Sequence, residues 1–156
     1  KPQFPFGFGL SYTTFKYGKA TISEVTCDKE GDASCKEKSE GCCKAKSESC
    51  CKAKAPLYKV SIPVSNVGKR EGKEIVQLYI GDDKCSVDRP VKELKGFQKI
   101  ALAPGETKTV EFDITLKDLQ FFDEATHAWK AEPGKFKAYI GASELDIRAI
   151  VPFTLK

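Results

Sequence analysis

From residue 56 onward the chain is written in strands. Tyr58, Val60, Ile62 and Val64 alternate with Lys59, Ser61, Pro63 and Ser65, a period of two that predicts a half-buried strand. Pro63 cannot donate to a ladder, which places it at an edge or a bulge. Asn66 to Gly72 reads as a turn, and the more continuous apolar run Ile75–Ile80 as a central strand. Leu94–Leu102 supplies the next pairing segment, and Pro104-Gly105 turns the chain. Val110, Phe112 and Ile114 point one way, and Glu111 and Asp113 the other. Phe136, Ala138 and Ile140 repeat the pattern, and so do Ile147, Ala149, Val151, Phe153 and Leu155. With Lys19–Val25 as the first strand, the total is about seven, and no amphipathic helix intervenes. An all-β chain of this kind predicts a sandwich of two sheets.

Two stretches depart from that pattern. The first is the leader, Lys1 to Phe15, which holds four Phe, two Pro and two Gly in fifteen residues. Pro fixes φ and removes a donor, and Gly resists ordering, so the leader cannot be a helix. It is also too aromatic to sit in water. It reads as a connector that lies in a groove and buries its rings, and its presence implies a chain cut from a larger protein.

The second stretch is Cys27 to Ala55, which has no large apolar residue and carries six of the seven cysteines. Cys27, Cys35, Cys43 and Cys51 recur every eight residues, and Cys42 and Cys50 share the period. Three readings stand. Disulfides could order a loop that has no hydrophobic core, with 15 possible pairings of six cysteines. A thiolate cluster resembling metallothionein segments would hold Zn or Cu(I), with nearby Lys keeping the thiols ionised; the spacing is not that of a zinc finger. A helix would put cysteines seven or eight apart on one face, aided by the pairs Glu40/Lys44 and Glu48/Lys52. Cys85, the seventh, reads as an unpaired loop thiol, with Cys27 as its alternative partner.

Composition narrows the function classes. The chain has 156 residues, 40% of them hydrophobic, enough for one domain with a full core. Its 26 basic and 22 acidic residues give a net charge of +4, dispersed along the sequence. Nucleic-acid readers cluster their basic residues on one face, so a nucleic-acid partner is not expected. No apolar run approaches the roughly 20 residues of a membrane span.

Candidate chemistry is thin. A nucleophilic triad could be imagined from the single histidine, His127, with Asp123 and a serine, but nothing marks a base held by a third group. Glycosidases need two carboxyls roughly 5 to 10 Å apart across a sugar, whereas Asp82/Asp83 and Asp123/Glu124 are adjacent acids on turns. Gly7 and Gly9 precede no helix, so they form no phosphate cradle. No catalytic residue, no cofactor and no firm metal site is assigned. Trp129 could stack on a sugar; packing on the sandwich rim, with its N–H partnered, is the favoured expectation.

The motifs, taken in order, carry a resemblance. Phe4-Pro5-Phe6-Gly7-Phe8-Gly9-Leu10-Ser11-Tyr12-Thr13 resembles the segment that ends the second domain of glycoside hydrolase family 3 enzymes, which include β-glucosidases and β-xylosidases. Val64 to Gly72, Glu74 to Ile80, Arg89 to Phe97, Leu102 to Thr107, Trp129, Glu132-Pro133-Gly134 and Ile140 to Ser143 resemble the fibronectin type III-like domain that follows it. The match covers residues 1–25 and 56–156 and leaves the cysteine-rich insert out. The resemblance implies an immunoglobulin-like, fibronectin type III-like sandwich over 18–156, an end of a preceding domain over 1–17, and an insert at 27–55. It implies an accessory domain that is not itself an enzyme and that docks on the catalytic domains of a retaining β-glycosidase, whose nucleophile and acid/base lie upstream. Phe4, Phe6, Phe8, Tyr12 and Phe15 are the expected docking residues. A secreted or periplasmic location follows from family and cysteine content. The alternatives are a carbohydrate- or surface-binding module with polysaccharide as partner, and an insert that captures soft metal ions.

Overall fold

A computed structural model describes residues 3–25 and 56–156. In chain order the strands are β1 Phe15–Tyr17, β2 Thr21–Glu24, β3 Pro56–Asn66, β4 Gly72–Asp82 and β5 Glu93–Leu102. They are followed by β6 Thr107–Thr115, β7 Phe121–Asp123, β8 Ala128–Lys130, β9 Gly134–Gly141 and β10 Ile147–Leu155. A single helical turn, Leu116–Leu119, follows β6.

Two antiparallel sheets face each other. In the first, β3 lies between β6 and the pair β1 and β2; the second runs β10-β9-β4-β5. β1 pairs one end of β3 (Phe15 with Asn66, Tyr17 with Val64) and β2 the other (Thr21 with Ser61, Glu24 with Tyr58). They are one strand position broken in the middle, so three positions face four, in line with the sandwich predicted from the pattern. The single strand expected over Lys19–Val25 is instead split, and residues 15–17 belong to the first sheet. β7 and β8 form a separate hairpin.

The break has a cause in Pro63. It sits inside β3, a strand paired on both sides, and not at an edge or bulge as its missing donor suggested. Its carbonyl accepts from the Gly18 N–H at 2.8 Å, so its backbone faces the joint between β1 and β2. The N–H that proline lacks is the bond that would have continued the ladder there. The discontinuity has been moved onto the neighbouring strand, where Gly18 also leaves room for the proline ring: a Cβ on Gly18 would lie 2.6 Å from Pro63 Cγ.

The period-two pattern sorts the side chains as expected. Val60, Ile62 and Val64 of β3, Val76, Leu78 and Ile80 of β4, Val110 and Ile114 of β6, and Phe136 and Ile140 of β9 fill the space between the sheets. Leu119 of the helical turn is also fully buried. Gln77 and Tyr79, between the inward residues of β4, therefore lie on the outer face of the second sheet. Both are nevertheless buried, which requires something to cover that face.

At the end of β3 a polar side chain is fully buried. The Asn66 amide group donates to the carbonyls of Arg70 (2.8 Å) and Leu102 (3.0 Å). Its oxygen accepts from the Gly68 N–H (3.0 Å) and the Thr13 hydroxyl (2.7 Å). Its main chain bonds Glu106 and Gly105 across the β5–β6 turn. All four side-chain bonding positions are filled, as burial demands. Asn66→Ala leaves several buried partners unmet, and each costs about 1 kcal/mol or more. The expected loss in urea or thermal unfolding is roughly 2–4 kcal/mol. Asn66→Asp should cost at least as much at neutral pH, because its carboxylate would face two carbonyl oxygens; a loss no larger than that of a surface substitution would refute this role.

Candidate functional site

The cover over Gln77 is the leader. The Gln77 side-chain amide donates both to the Gly7 carbonyl (3.0 Å) and to the Ala142 carbonyl (2.7 Å), while the Tyr79 hydroxyl donates to its oxygen. Gly7 has φ of +75°, and a Cβ there would meet Gln77 Oε1 at 2.2 Å. Only glycine fits both the left-handed backbone and the close approach. The Glu144 N–H donates to the Phe6 carbonyl at 3.0 Å. Lys92 holds that loop in turn: its ammonium donates to the Glu144 carbonyl at 2.7 Å and stands 5.9 Å from the centre of the Tyr139 ring. Further along, the Val67 N–H donates to the Thr14 carbonyl at 2.9 Å, beside the Thr13–Asn66 bond.

The leader is thus fastened by its backbone at two places, and its rings are left outside. Phe4 and Phe8 stack on each other with centroids 5.0 Å apart. Phe6 is 65% exposed and Tyr12 is 94% exposed. Leu10 is exposed as well. Phe15 differs: it lies in β1, buried in the sandwich core, so its ring is taken up within this domain and is not free to dock on another. Around the leader, the outer face of the second sheet adds apolar groups. Phe97, opposite Gln77 in register, and Ile150, opposite Tyr139, are both largely exposed.

A crevice of about 160 Å³ lies between the leader and the sheet, lined by Gly7 to Ser11, Lys73 to Ile75, and Ala142. Glu74, one of its walls, accepts from the Tyr17 hydroxyl at 2.8 Å and so ties β4 of the second sheet to β1 of the first. Arg148 stands 5.8 Å from the Tyr17 ring centre and is paired with Asp146. Burial pushes the Glu74 carboxyl above the usual range, and the bond from Tyr17 and the Arg148 charge only partly offset it. The Tyr17 phenol is pushed up as well, first by burial and then by the Glu74 carboxylate.

The remaining candidates fall apart in space. Asp82 faces Arg89 at 3.7 Å and Asp83 binds Lys137 at 2.7 Å, so the adjacent acids serve separate ion pairs. Asp123 binds the Ala125 N–H and the Thr126 hydroxyl of its own turn, and His127, with φ of 48°, packs edgewise near Phe122; no triad forms among the described residues. Among the described residues no group of three or more His, Cys, Asp or Glu is placed to hold a metal ion. Cys85 makes no disulfide with a described residue. Cys27, Cys35, Cys42, Cys43, Cys50 and Cys51, with the disulfide, metal and helix readings that rest on them, lie outside the described residues. Trp129 does not pack on the rim: it is 66% exposed on the β7–β8 hairpin. Sequence reasoning missed Asn66 and Gln77. A glutamine inside an apolar central strand was the available signal for the second. An asparagine two residues before a glycine, the Asx-turn spacing, was the signal for the first.

Three strand positions facing four, with an aromatic leader laid across the outer face of the four, define a fibronectin type III-like sandwich. Residues 74–144 match the fibronectin type III-like domain family. The chain is 49% identical over 153 residues to β-glucosidase BoGH3A of Bacteroides ovatus, which covers 98% of this chain and 17% of that protein. It is 38% identical to the periplasmic β-glucosidase of Salmonella typhimurium, over 94% of this chain and 16% of that protein. The crystal structure of β-D-glucoside glucohydrolase from Trichoderma reesei superposes over the whole chain with a TM-score of 0.80 at 31% identity, using 20% of its own length. Residues 74–144 are thus a fibronectin type III-like domain, and the chain is similar along nearly its whole length to one part of these family 3 β-glucosidases. It spans 16–20% of the length of these three relatives.

The sign of the Glu74 shift gives a test. The folded state holds the Glu74 proton more tightly than the unfolded chain, so the ionised form carries a penalty that is present above the folded pKa and relieved as pH falls through it. Glu74→Gln keeps an acceptor for Tyr17 and removes the penalty. Its melting midpoint relative to the unaltered chain should be most favourable near about pH 8 and should fall back toward about pH 4, where an ordinary carboxyl is half protonated. A difference constant across that range would contradict the shift.

Proposed function

We propose that the chain docks on, and stabilises, the catalytic domains of a family 3 glycoside hydrolase. The whole protein would hydrolyse terminal, non-reducing β-linked glucose or xylose with retention, through a glycosyl-enzyme intermediate. The β-glucosidase names of the relatives support the activity, and the periplasmic relative supports a secreted or periplasmic location.

One observation carries the docking reading: the leader is fixed by backbone bonds while Phe4, Phe6, Phe8 and Tyr12 stay exposed. Ordering an aromatic segment and then leaving its rings in water gains nothing for a free-standing sandwich. At about 25 cal/mol per Å² of apolar surface, covering four such rings is worth on the order of 10 kcal/mol before the costs of ordering. A pre-ordered leader has already met much of that cost, and preorganisation turns buried area into affinity. Phe97, opposite Gln77 in register, adds an exposed ring on the same face of the sheet. The occupant that fits is the body of the parent enzyme, to which the leader is covalently joined.

Replacing Phe4, Phe6 and Phe8 together by Ser in the parent enzyme should lower its melting midpoint by roughly 5 °C or more. The same replacement in the 156-residue chain should leave its midpoint nearly unchanged. Equal losses in the two would count against docking, because the rings would then be serving the sandwich itself.

A further inference from the structure

The β7–β8 hairpin holds an aromatic pair that docking through the leader does not use. Phe121 is buried, with the Arg89 guanidinium 5.5 Å from its ring centre, and Arg89 also donates to the Leu119 carbonyl. This fixes the hairpin to the sandwich. Because side chains alternate along a strand, Phe122 and its cross-strand partner Trp129 are left facing outward. Their rings meet edge to face, centroids 5.8 Å apart at 71°. That geometry holds the indole plane in place and leaves most of the indole open.

Trp129 closes one side of a cavity of about 350 Å³, whose other walls are Lys95 of β5 and Lys117, Asp118 and Gln120 around the helical turn. Asp118 is held rigidly, because one of its oxygens accepts from both the Thr115 N–H (2.8 Å) and the Thr115 hydroxyl (2.7 Å). The Lys95 charge is met by Glu93 at 2.7 Å, and Lys117 and Asp118 offset each other, so the walls are close to neutral. A flat apolar surface with a fixed carboxylate, Asp118, and the polar ends of Lys117 and Gln120 around it suits a ring that has an apolar C–H face and a rim of hydroxyls. An ionic ligand would find no net charge to meet, and an aliphatic one would leave the polar rim unpaired. The volume is at the small end of ligand sites and matches one sugar ring rather than a drug-sized molecule.

We propose that this cavity binds one pyranose unit of a neutral β-linked oligosaccharide, stacked on Trp129 and hydrogen-bonded by Asp118, Gln120 and Lys117. The site lies apart from the leader and does not depend on docking there. Its work is to hold chains of the polysaccharide near the parent enzyme.

Trp129 is the only tryptophan in the sequence, so its fluorescence reports this cavity alone. Titration of the 156-residue chain with cellotetraose or xylotetraose should change its emission saturably, with half-saturation on the order of 1 mM. The response to the two sugars tells a glucan from a xylan ligand. Retardation of the chain in a native gel containing soluble β-glucan or xylan should fall at least about tenfold in Trp129→Ala and by less in Trp129→Phe. Gln120→Ala should weaken binding without moving the melting midpoint. Replacing Phe4, Phe6 and Phe8 by Ser should leave the sugar response intact, because these rings are exposed and none of them lines the cavity. No saturable change up to about 50 mM sugar, an equal response to glycerol, or unaltered retardation of Trp129→Ala would overturn the proposal.

Discussion

One buried amide sets the order of this domain. Asn66 ends β3 where the leader, the β3–β4 turn, the last residue of β5 and the β5–β6 turn all meet, and its side chain bonds the first three. No apolar residue could do this, because each of those segments presents a backbone or hydroxyl group that would otherwise be buried unpaired. Gly68 and Gly72 show how close the packing is: a Cβ on either would collide with Thr13. The hydrophobic sandwich would form on its alternating pattern alone. What Asn66 adds is the polar attachment of a segment whose only buried ring is Phe15.

The second attachment, at Gln77, completes a division of labour within the leader. Its carbonyls bond the sandwich through Gln77, Glu144 and Val67, and of its side chains Thr13 and Phe15 do so too, while Phe4, Phe6, Phe8, Leu10 and Tyr12 stay outside. A segment anchored by side chains would have buried its rings in its own domain, as Phe15 does in β1. Anchoring by main chain keeps the rings available to a neighbour. The same logic separates the two aromatic surfaces: the leader leaves Phe4, Phe6, Phe8 and Tyr12 exposed, and the hairpin holds Trp129 beside a cavity of about 350 Å³.

The fold was legible because period-two alternation, read from Tyr58 to Leu155, is set directly by the pleat. Its failures are local and physical. Pro63 looked like an edge residue because its missing donor was visible, while the neighbouring strand's ability to break at Gly18 was not. Residues 15–17 read as leader because the aromatic run continues through Phe15, and composition does not say where rings turn from solvent to core. Trp129 was expected on the rim, since exposed tryptophan is the rarer outcome; the edgewise support from Phe122 depends on a hairpin register that no spacing rule supplies. Asn66 and Gln77 were overlooked for a common reason. Their importance lies in partners 53 and 70 residues away in the chain, and a single sequence does not display such pairings.

Amide hydrogen exchange tests the attachment of the leader most directly. The Val67 and Glu144 N–H groups both donate to leader carbonyls, those of Thr14 and Phe6. With the leader fastened, both amides should exchange at least about tenfold more slowly than in an unstructured chain, and Gln77→Ala should release Glu144 while Val67 stays protected. Exchange of both amides at unstructured rates in the unaltered chain would contradict the account.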